Sequence, residues 1–396
     1  MRKRLLASAC LTAAVALVGG AGGWWHYTSQ PEYLLRKGQA ALGRGDVNAA
    51  LMLVSRLEAS GHADHAGLLL GEVYLRQNRH AQALQEFNKI RAQGAIRLEA
   101  VACSGQCLLR LHNAFEAARC FEFVLAEQPD HVECHRGLAV VYYDQGAMDN
   151  ALEHLRAVAR LDPGDGRPHR LMGLIYKDLG RPAEAVFSYQ EALKRPLADE
   201  RLREVREELT ESLLRQGDCT RALETLDGCD ARDADRPAML ALRAECLLMQ
   251  AKIPAAKELL DRALRIHPSA LELQKPRAKL HLLDGQGQEA AVLLEQILAA
   301  QRHDVACRYQ LVQAYQMLDR TEDVAAQRAR LDESQSLVLE LSKLSALAEA
   351  NAWDAELRLR LADVCEKLDK TDLAALWRRS AAACPKANER MLPAFR

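Results

Sequence analysis

Residues 173–192, GLIYKDLGRPAEAVFSYQEA, decide the fold, because their pattern of small and large residues returns along the chain every 34 residues. Six positions carry the pattern, and in this stretch they hold Gly173, Tyr176, Gly180, Ala185, Tyr189 and Ala192. Successive shifts back by 34 residues place at these positions Ala139, Tyr142, Gly146, Ala151, Leu155 and Val158; Gly105, Leu108, His112, Ala117, Phe121 and Val124; and Gly71, Tyr74, Asn78, Ala83, Phe87 and Ile90. Four consecutive copies at one fixed period are typical of a solenoid built from two-helix repeats.

This pattern resembles the tetratricopeptide repeat (TPR) family, whose 34-residue unit contains a helix A and a helix B. Small residues at positions 8 and 20 of the unit let the two helices approach closely, and a large residue at position 24 fills the space beside that contact. Position 15 ends helix A, usually with glycine, and Pro near position 32 stops helix B. The resemblance implies an all-α protein that forms a right-handed superhelical α-solenoid of about ten helix pairs.

The repeat frame extends over nearly the whole chain. It predicts an array of about nine repeats over 31–336, with the last two degenerate, since Arg328 stands where a large apolar residue is expected. Residues 337–354 are apolar at helical spacing and are predicted to form a helical connector. A degenerate final repeat is predicted over 355–388, with Arg378 at position 24.

Residues 1–28 form a separate element. A basic cluster at residues 2–4 precedes an uncharged run from Leu5 to Trp25, which is long enough to cross a bilayer. The pattern predicts a single-pass anchor in the inner (cytoplasmic) membrane of a bacterium, with the repeats on the extracytoplasmic, periplasmic side. A cleaved signal peptide, or a lipoprotein modified at Cys10, are alternatives that would also export the repeats.

Composition excludes several classes of function. The net charge is -1, which does not support a general nucleic-acid-binding surface, so no nucleic-acid partner is predicted. The chain has eleven cysteines, but no Cys-x-x-Cys pair that would indicate a metal or haem site, so they are predicted to be core residues, with no cofactor and no metal. Ser104 lies on a predicted helix and not on a strand-to-helix turn, and no Gly-rich phosphate loop follows a strand. The sequence therefore predicts a protein that is not an enzyme.

The TPR resemblance implies that partners bind on the concave surface, which positions 2, 5, 6, 9, 12 and 13 of each helix A line. On repeats four to six these positions change from basic to acidic; the predicted groove residues are Arg136, Tyr143, Arg167, Arg170, Lys177, Glu204, Glu207, Glu208 and Glu211. Such a step can orient an extended peptide or a helix of a protein partner. The alternative is that both groups are solvated helix faces that partly neutralise each other across the repeat boundary.

The sequence favours a membrane-anchored scaffold or adaptor that mediates protein–protein interactions in an envelope or secretion-related complex. The alternative function is a periplasmic carrier for a non-protein ligand, such as a polysaccharide or a cofactor. Sugars stack on aromatic rings, and Tyr143 and Tyr309 are the aromatic residues at the predicted groove positions.

Overall fold

The computed structural model describes residues 30–229 and 234–385, and these residues form helices without any strand. Twenty helices are described: α1 Pro31–Gly43, α2 Val47–Ala59, α3 Ala63–Arg76, α4 His80–Lys89, α5 Ala95–Arg110, α6 Ala114–Glu127, α7 Val132–Asp144, α8 Met148–Leu161, α9 Arg167–Asp178, α10 Pro182–Leu193, α11 Asp199–Arg215, α12 Cys219–Asp227, α13 Pro237–Met249, α14 Ile253–Ile266, α15 Leu271–Leu283, α16 Gly287–Ala300, α17 Val305–Met317, α18 Thr321–Ala350, α19 Ala355–Lys367 and α20 Thr371–Ala382. None of these helices combines the length and the apolar character that a membrane span requires. The predicted membrane segment, residues 1–28, lies outside the described residues.

The helices form ten A–B pairs, and the turn within each pair has the same backbone signature. After every odd-numbered helix one residue adopts a positive φ, between 55° and 79°, at position 15 of the repeat. These residues are Gly45, Asn78, His112, Gly146, Gly180, Gly217, Ala251, Gly285, Asp319 and Asp369. A left-handed residue lets the last carbonyl groups of helix A form hydrogen bonds before the chain turns. The predicted frame of a TPR-like helical array is thus confirmed, including the copies that lack glycine at this position.

A close contact between helix A and helix B explains the small residue at position 8. A Cβ atom added to Gly71 would lie 2.3 Å from the Phe87 ring, and one added to Gly173 would lie 2.6 Å from the Tyr189 ring. Gly105 has the same relationship with Phe121, at 2.6 Å. Because these distances are shorter than any van der Waals contact, the aromatic residue at position 24 requires glycine opposite it.

The described chain divides into two compact units, and the division falls after Gly137, within α7. The core of the first unit contains buried leucines of α1–α3, together with Phe87 and Cys107. The second unit has successive buried clusters between neighbouring helix pairs, from Ala139 in α7 to Trp377 in α20. In each unit, hydrophobic burial between adjacent repeats supplies the core, as expected for stacked repeats.

The ninth and tenth repeats depart from the pattern in a common way. Arg328 and Arg378, at position 24, are exposed, whereas the preceding residues Gln327 and Trp377 are buried. The buried side chain is therefore one residue earlier than the frame predicts. Between these repeats, α18 runs without interruption for 30 residues, and much of the predicted connector belongs to it.

Within the second unit, the last helix pair contacts the turn between α7 and α8. The Arg358 guanidinium group is fully buried and donates to both the side-chain and the main-chain oxygen of Gln145. The Trp377 ring packs on Gly146, and the Glu349 carboxylate accepts from the first amides of α8. We call this set of interactions the closure contact. The repeat pattern did not predict it.

Candidate functional site

The basic and acidic residues predicted to face a partner are largely paired with each other. Arg170 on α9 contacts Glu204 and Glu208 on α11, with Nη2–Oε distances of 2.9 Å and 3.0 Å. Lys177 Nζ lies 3.3 Å from Glu211 Oε2 on the same two helices. The change from basic to acidic residues along the sequence thus becomes a set of ion pairs between neighbouring A helices in the structure.

The remaining predicted residues also have nearby partners. Arg136 lies 3.0 Å from Glu133 in the first unit, and Arg167 lies 2.9 Å from Asp165 in the second. Glu207 Oε2 is 3.6 Å from Arg236 Nη1 on the following repeat. Tyr143 is half-buried, and burial raises its pKa.

Burial and hydrogen bonding set the pKa values of the glutamates on α11. Burial raises the pKa of Glu207 and of Glu208, and in Glu208 this effect outweighs the opposing influence of Arg170. The pKa of Glu204 is lowered, chiefly by a hydrogen bond from Arg201. Glu207 and Glu208 are therefore carboxylates that have lost part of their hydration, and an added cationic partner group would stabilise their charged forms.

A groove of about 400 Å³ lies next to these residues, towards the C-terminal end of the second unit. The A helices α11, α13, α15 and α17 line it, and α13 contributes Ala238, Ala241, Leu242 and Glu245. These four residues occupy positions 2, 5, 6 and 9 of their repeat, which are the positions that the TPR resemblance assigns to the binding surface. The ionisable lining residues are Glu207, Glu211, Glu245, Glu272, Asp304, Lys275 and Lys279. We call this surface the acidic groove.

The acidic groove overlaps the predicted site only at Glu207 and Glu211. Sequence reasoning missed Glu245, Glu272 and Lys275, although the frame that identified positions 2, 5, 6 and 9 would have found them in repeats seven and eight. Lys275 Nζ lies 2.8 Å from Asp304 Oδ2, so one of the two lysines in the groove is already paired with a carboxylate. The lining therefore retains an excess of negative charge.

Most cysteines of the described residues, and the Ser104 side chain, are buried. Eight of the described cysteines are buried free thiols: Cys103, Cys107, Cys120, Cys134, Cys219, Cys246, Cys307 and Cys365. Burial raises the pKa of Cys120 and of Cys134 to about 12. Their thiols are therefore protonated at neutral pH and serve as small core residues. The Ser104 hydroxyl is also buried and donates to the Ala100 carbonyl at 2.8 Å, as a serine within a helix commonly does.

One group of potential metal ligands lies in the first unit. Oxygen atoms of Glu72 and Glu99 and the sulfur of Cys103 lie within 4.8 Å of one another. Burial raises the pKa of Glu72 to about 7 and that of Cys103 well above its usual range. Both shifts favour protonated groups, whereas metal ligands must be deprotonated. The absence of a metal remains a prediction.

Comparison with protein-family models identifies one kind of repeat along the chain. Three models described as tetratricopeptide repeat match residues 35–95 and 105–166, residues 171–198, and residues 213–280. Together these ranges cover more than half of the sequence. No curated protein matches it.

Similar folds occur among solved structures. The human IFIT1 dimer with m7Gppp-AAAA is 17% identical, covers 89% of this chain and 90% of its own, and gives a TM-score of 0.39. A tetratricopeptide repeat protein from Parabacteroides merdae is 14% identical over 72% of this chain and 98% of its own, with a TM-score of 0.39. MamA is 21% identical over 42% of this chain and 91% of its own, with a TM-score of 0.35. At these scores the similarities support no conclusion about ligands.

Proposed function

Because the chain belongs to the tetratricopeptide repeat family, we propose that it is a scaffold that binds a segment of a protein partner in the acidic groove. TPR proteins generally mediate protein–protein interactions, and the fold is typically non-catalytic. The observation that carries the proposal is the position of the groove. Its lining residues on α13 occupy the positions of helix A that this family uses for binding.

The charge of the groove indicates the chemistry of the partner segment. Five carboxylates and two amines line it, and Lys275 is already paired with Asp304. A segment carrying Lys or Arg would find complementary charge here, and its contacts would set both the rate of encounter and the register of binding. The small and apolar side chains of Ala238, Ala241 and Leu242 leave room for the backbone of such a segment between the charged residues.

The predicted charges of repeats four to six have a different role in this proposal. Arg170 pairs with Glu208, which does not line the groove, and Lys177 pairs with Glu211, which does. Both cations hold α11 beside α9. Glu207 and Glu211 then form one edge of the groove. A partner would contact these two residues but would not displace the Arg170 ion pairs.

Charge reversal in the groove tests the proposal. The double variant Glu245→Lys and Glu272→Lys should lose capture of crosslinked partners, and in the wild type capture should weaken as salt increases. The matched control is Glu258→Lys with Glu289→Lys, which makes the same change in charge at exposed sites on α14 and α16 outside the groove. Helical content and melting should stay near wild type in all variants. Equal capture by the groove variant and the control would exclude the acidic groove as the binding surface.

We also propose that residues 1–28 anchor the protein in the inner membrane and that the repeats act outside the cytoplasm, in an envelope or secretion-related complex. The support is the basic cluster at residues 2–4 and the uncharged run from Leu5 to Trp25. The basic end of such a segment stays on the cytoplasmic side, which places the groove on the opposite side of the membrane.

A further inference from the structure

A second cavity, of about 820 Å³, lies in the degenerate C-terminal part of the second unit. It is bounded by α16, α17 and α18 and by the end of α19, and it shares no lining residue with the acidic groove. Four permanently cationic side chains line it, Arg302, Arg308, Arg330 and Lys367, against two carboxylates, Glu295 and Glu333. The volume falls within the range of small-molecule sites, and we call it the basic cavity.

Arg308 is the fixed cation of the basic cavity. Its side chain is 5% exposed and donates to Gln327 Oε1 at 2.7 Å and to the Arg302 carbonyl. Its Nε atom is buried without a hydrogen-bond partner among the described residues. Burial lowers the pKa of Arg308, and the nearby positive charge of Arg330 lowers it further. The Glu333 carboxylate opposes both effects, so the carboxylates of the cavity offset its positive charge only in part.

Two acidic side chains near the basic cavity already have partners, and one of them neutralises the lining cation Arg302. Asp369 forms an ion pair with Arg302, with an Nη2–Oδ1 distance of 2.6 Å, and Glu295 accepts a hydrogen bond from the Tyr315 hydroxyl. The Ser334 hydroxyl donates its one proton to the Arg330 carbonyl. In its second hydrogen bond the hydroxyl oxygen must therefore accept, and His303 Nδ1 is the donor. Arg330 and Lys367 are exposed at the mouth of the cavity.

Arg358 shows what an arginine at this place in the repeat can bind. Arg308 and Arg358 are both the fourth residue of their repeats, and both donate to carbonyl groups of the preceding loop. Arg358 uses Nε and Nη2 to bind two oxygen atoms of Gln145, which comes from a distant part of the chain. Arg308 has no such incoming oxygen ligand at Nε. The position is therefore suited to bind oxygen atoms from outside the repeat.

We propose that the basic cavity binds a small ligand that carries a phosphate or diphosphate group, with Arg308 as the fixed contact and Arg330 and Lys367 as mobile contacts at the mouth. Arginine donates paired hydrogen bonds to phosphate oxygens, and lysine adds a point charge. Several converging cations favour a group with more than one negative charge over a single carboxylate. The volume of the cavity leaves space for the organic part of such a ligand beside Leu298 and Leu337. The proposal does not depend on partner binding in the acidic groove.

Calorimetric titration of the full chain with inorganic pyrophosphate tests this assignment. The wild type should bind it saturably, and the double variant Arg330→Gln and Lys367→Gln should bind at least about tenfold more weakly, because two charge-assisted contacts are lost. The matched control is Arg328→Gln with Lys343→Gln, which removes two exposed cations of α18 that do not line the cavity. All four residues are exposed, so both double variants should melt near wild type.

Three outcomes would overturn the proposal. One is the absence of saturable pyrophosphate binding by the folded wild type. Another is equal weakening in the two double variants, which would mean general attraction to positive charge. The third is that the wild type binds a polyglutamate peptide saturably but not pyrophosphate, and that the Arg330→Gln and Lys367→Gln variant loses this peptide binding. That result would make the cavity a site for acidic protein segments.

Discussion

Arg358 and Gln145 are 213 residues apart in sequence, yet the Arg358 guanidinium group donates to two oxygen atoms of Gln145 in the interior of the second unit. The Ser380 hydroxyl donates to the same side-chain oxygen at 2.7 Å. Gln145 immediately precedes Gly146, the left-handed residue of the fourth repeat, against which the Trp377 ring packs. One turn of an early repeat is therefore the docking point of the last helix pair.

Gln145→Leu is expected to destabilise the protein by about 3 kcal/mol, because Nε of the buried Arg358 charge and the Ser380 hydroxyl would both lose their acceptor, and Arg358 would keep only its bonds to main-chain carbonyls. Arg358→Met should cost less, since it removes the buried charge itself and the side-chain oxygen of Gln145 still accepts from the Ser380 hydroxyl. Urea unfolding measures the difference. Amide exchange at Met148 and Asp149, which Glu349 caps, should accelerate in both variants. Unchanged exchange there would mean that the closure contact does not hold the last pair.

The turn residue at position 15 should affect stability through backbone conformation alone. Ala251 has a φ of 56°, so Ala251→Gly should stabilise the protein by about 1 kcal/mol. Gly180 has a φ of 67°, and no atom lies within 4 Å of a Cβ added there, so Gly180→Ala should destabilise it by a similar amount. Melting temperatures should shift in opposite directions. Shifts of the same sign would contradict this explanation of the repeat frame.

The ion pairs of Arg170 between α9 and α11 should be structural. A double-mutant cycle on Arg170 and Glu208, with glutamine at each, should give a coupling energy of about 1 kcal/mol, because both side chains are mostly buried. The exposed pair Arg181 and Glu184 is the control and should give a smaller coupling energy, because solvent screens it. If the Arg170 cycle shows no coupling energy, Arg170 and Glu208 would instead be available to bind a partner.

The sequence predicted the helix pairs well because their determinants lie within one repeat. The contact between Gly173 and Tyr189 and the left-handed turn at Gly180 involve residues fewer than 34 positions apart, so the period reveals them. The closure contact depends on the combined geometry of the five repeats between the fourth and the tenth, and no local pattern marks Arg358 as its centre. The charges of Arg170 and Glu208 were recognised as facing the same surface, but the sequence alone could not show that they are close enough to pair.

Membrane topology should follow the charge pattern of residues 1–28. We expect activity from a reporter that works only outside the cytoplasm when it is fused after Arg396. If the segment is an anchor, the mature chain should begin at or near Met1. Deletion of residues 2–28 is the control and should abolish activity of the reporter. A mature N-terminus near Trp24 would identify a cleaved signal peptide. Activity of a reporter that works only in the cytoplasm would refute export of the repeats.

The stability of the first unit should depend on the protonation of Glu72. Burial raises the pKa of this carboxyl group from 4.5 to about 7, against a hydrogen bond from Gln39 that lowers it and with a smaller raising effect of Glu99. The pKa of Glu72 is higher in the folded state than in the unfolded state. The free energy of unfolding that the neutral carboxyl group contributes is therefore fully present below about pH 4.5 and is lost as the pH rises through about 7. Glu72→Gln keeps a neutral partner for Gln39, so the variant should match the wild type at low pH. Above pH 7 it should be more stable, by about 1 to 3 kcal/mol. Melting curves across this pH range measure the difference, and Glu58→Gln, at an exposed site on α2, should show none. A stability difference that does not change with pH would show that Glu72 is not the titrating group.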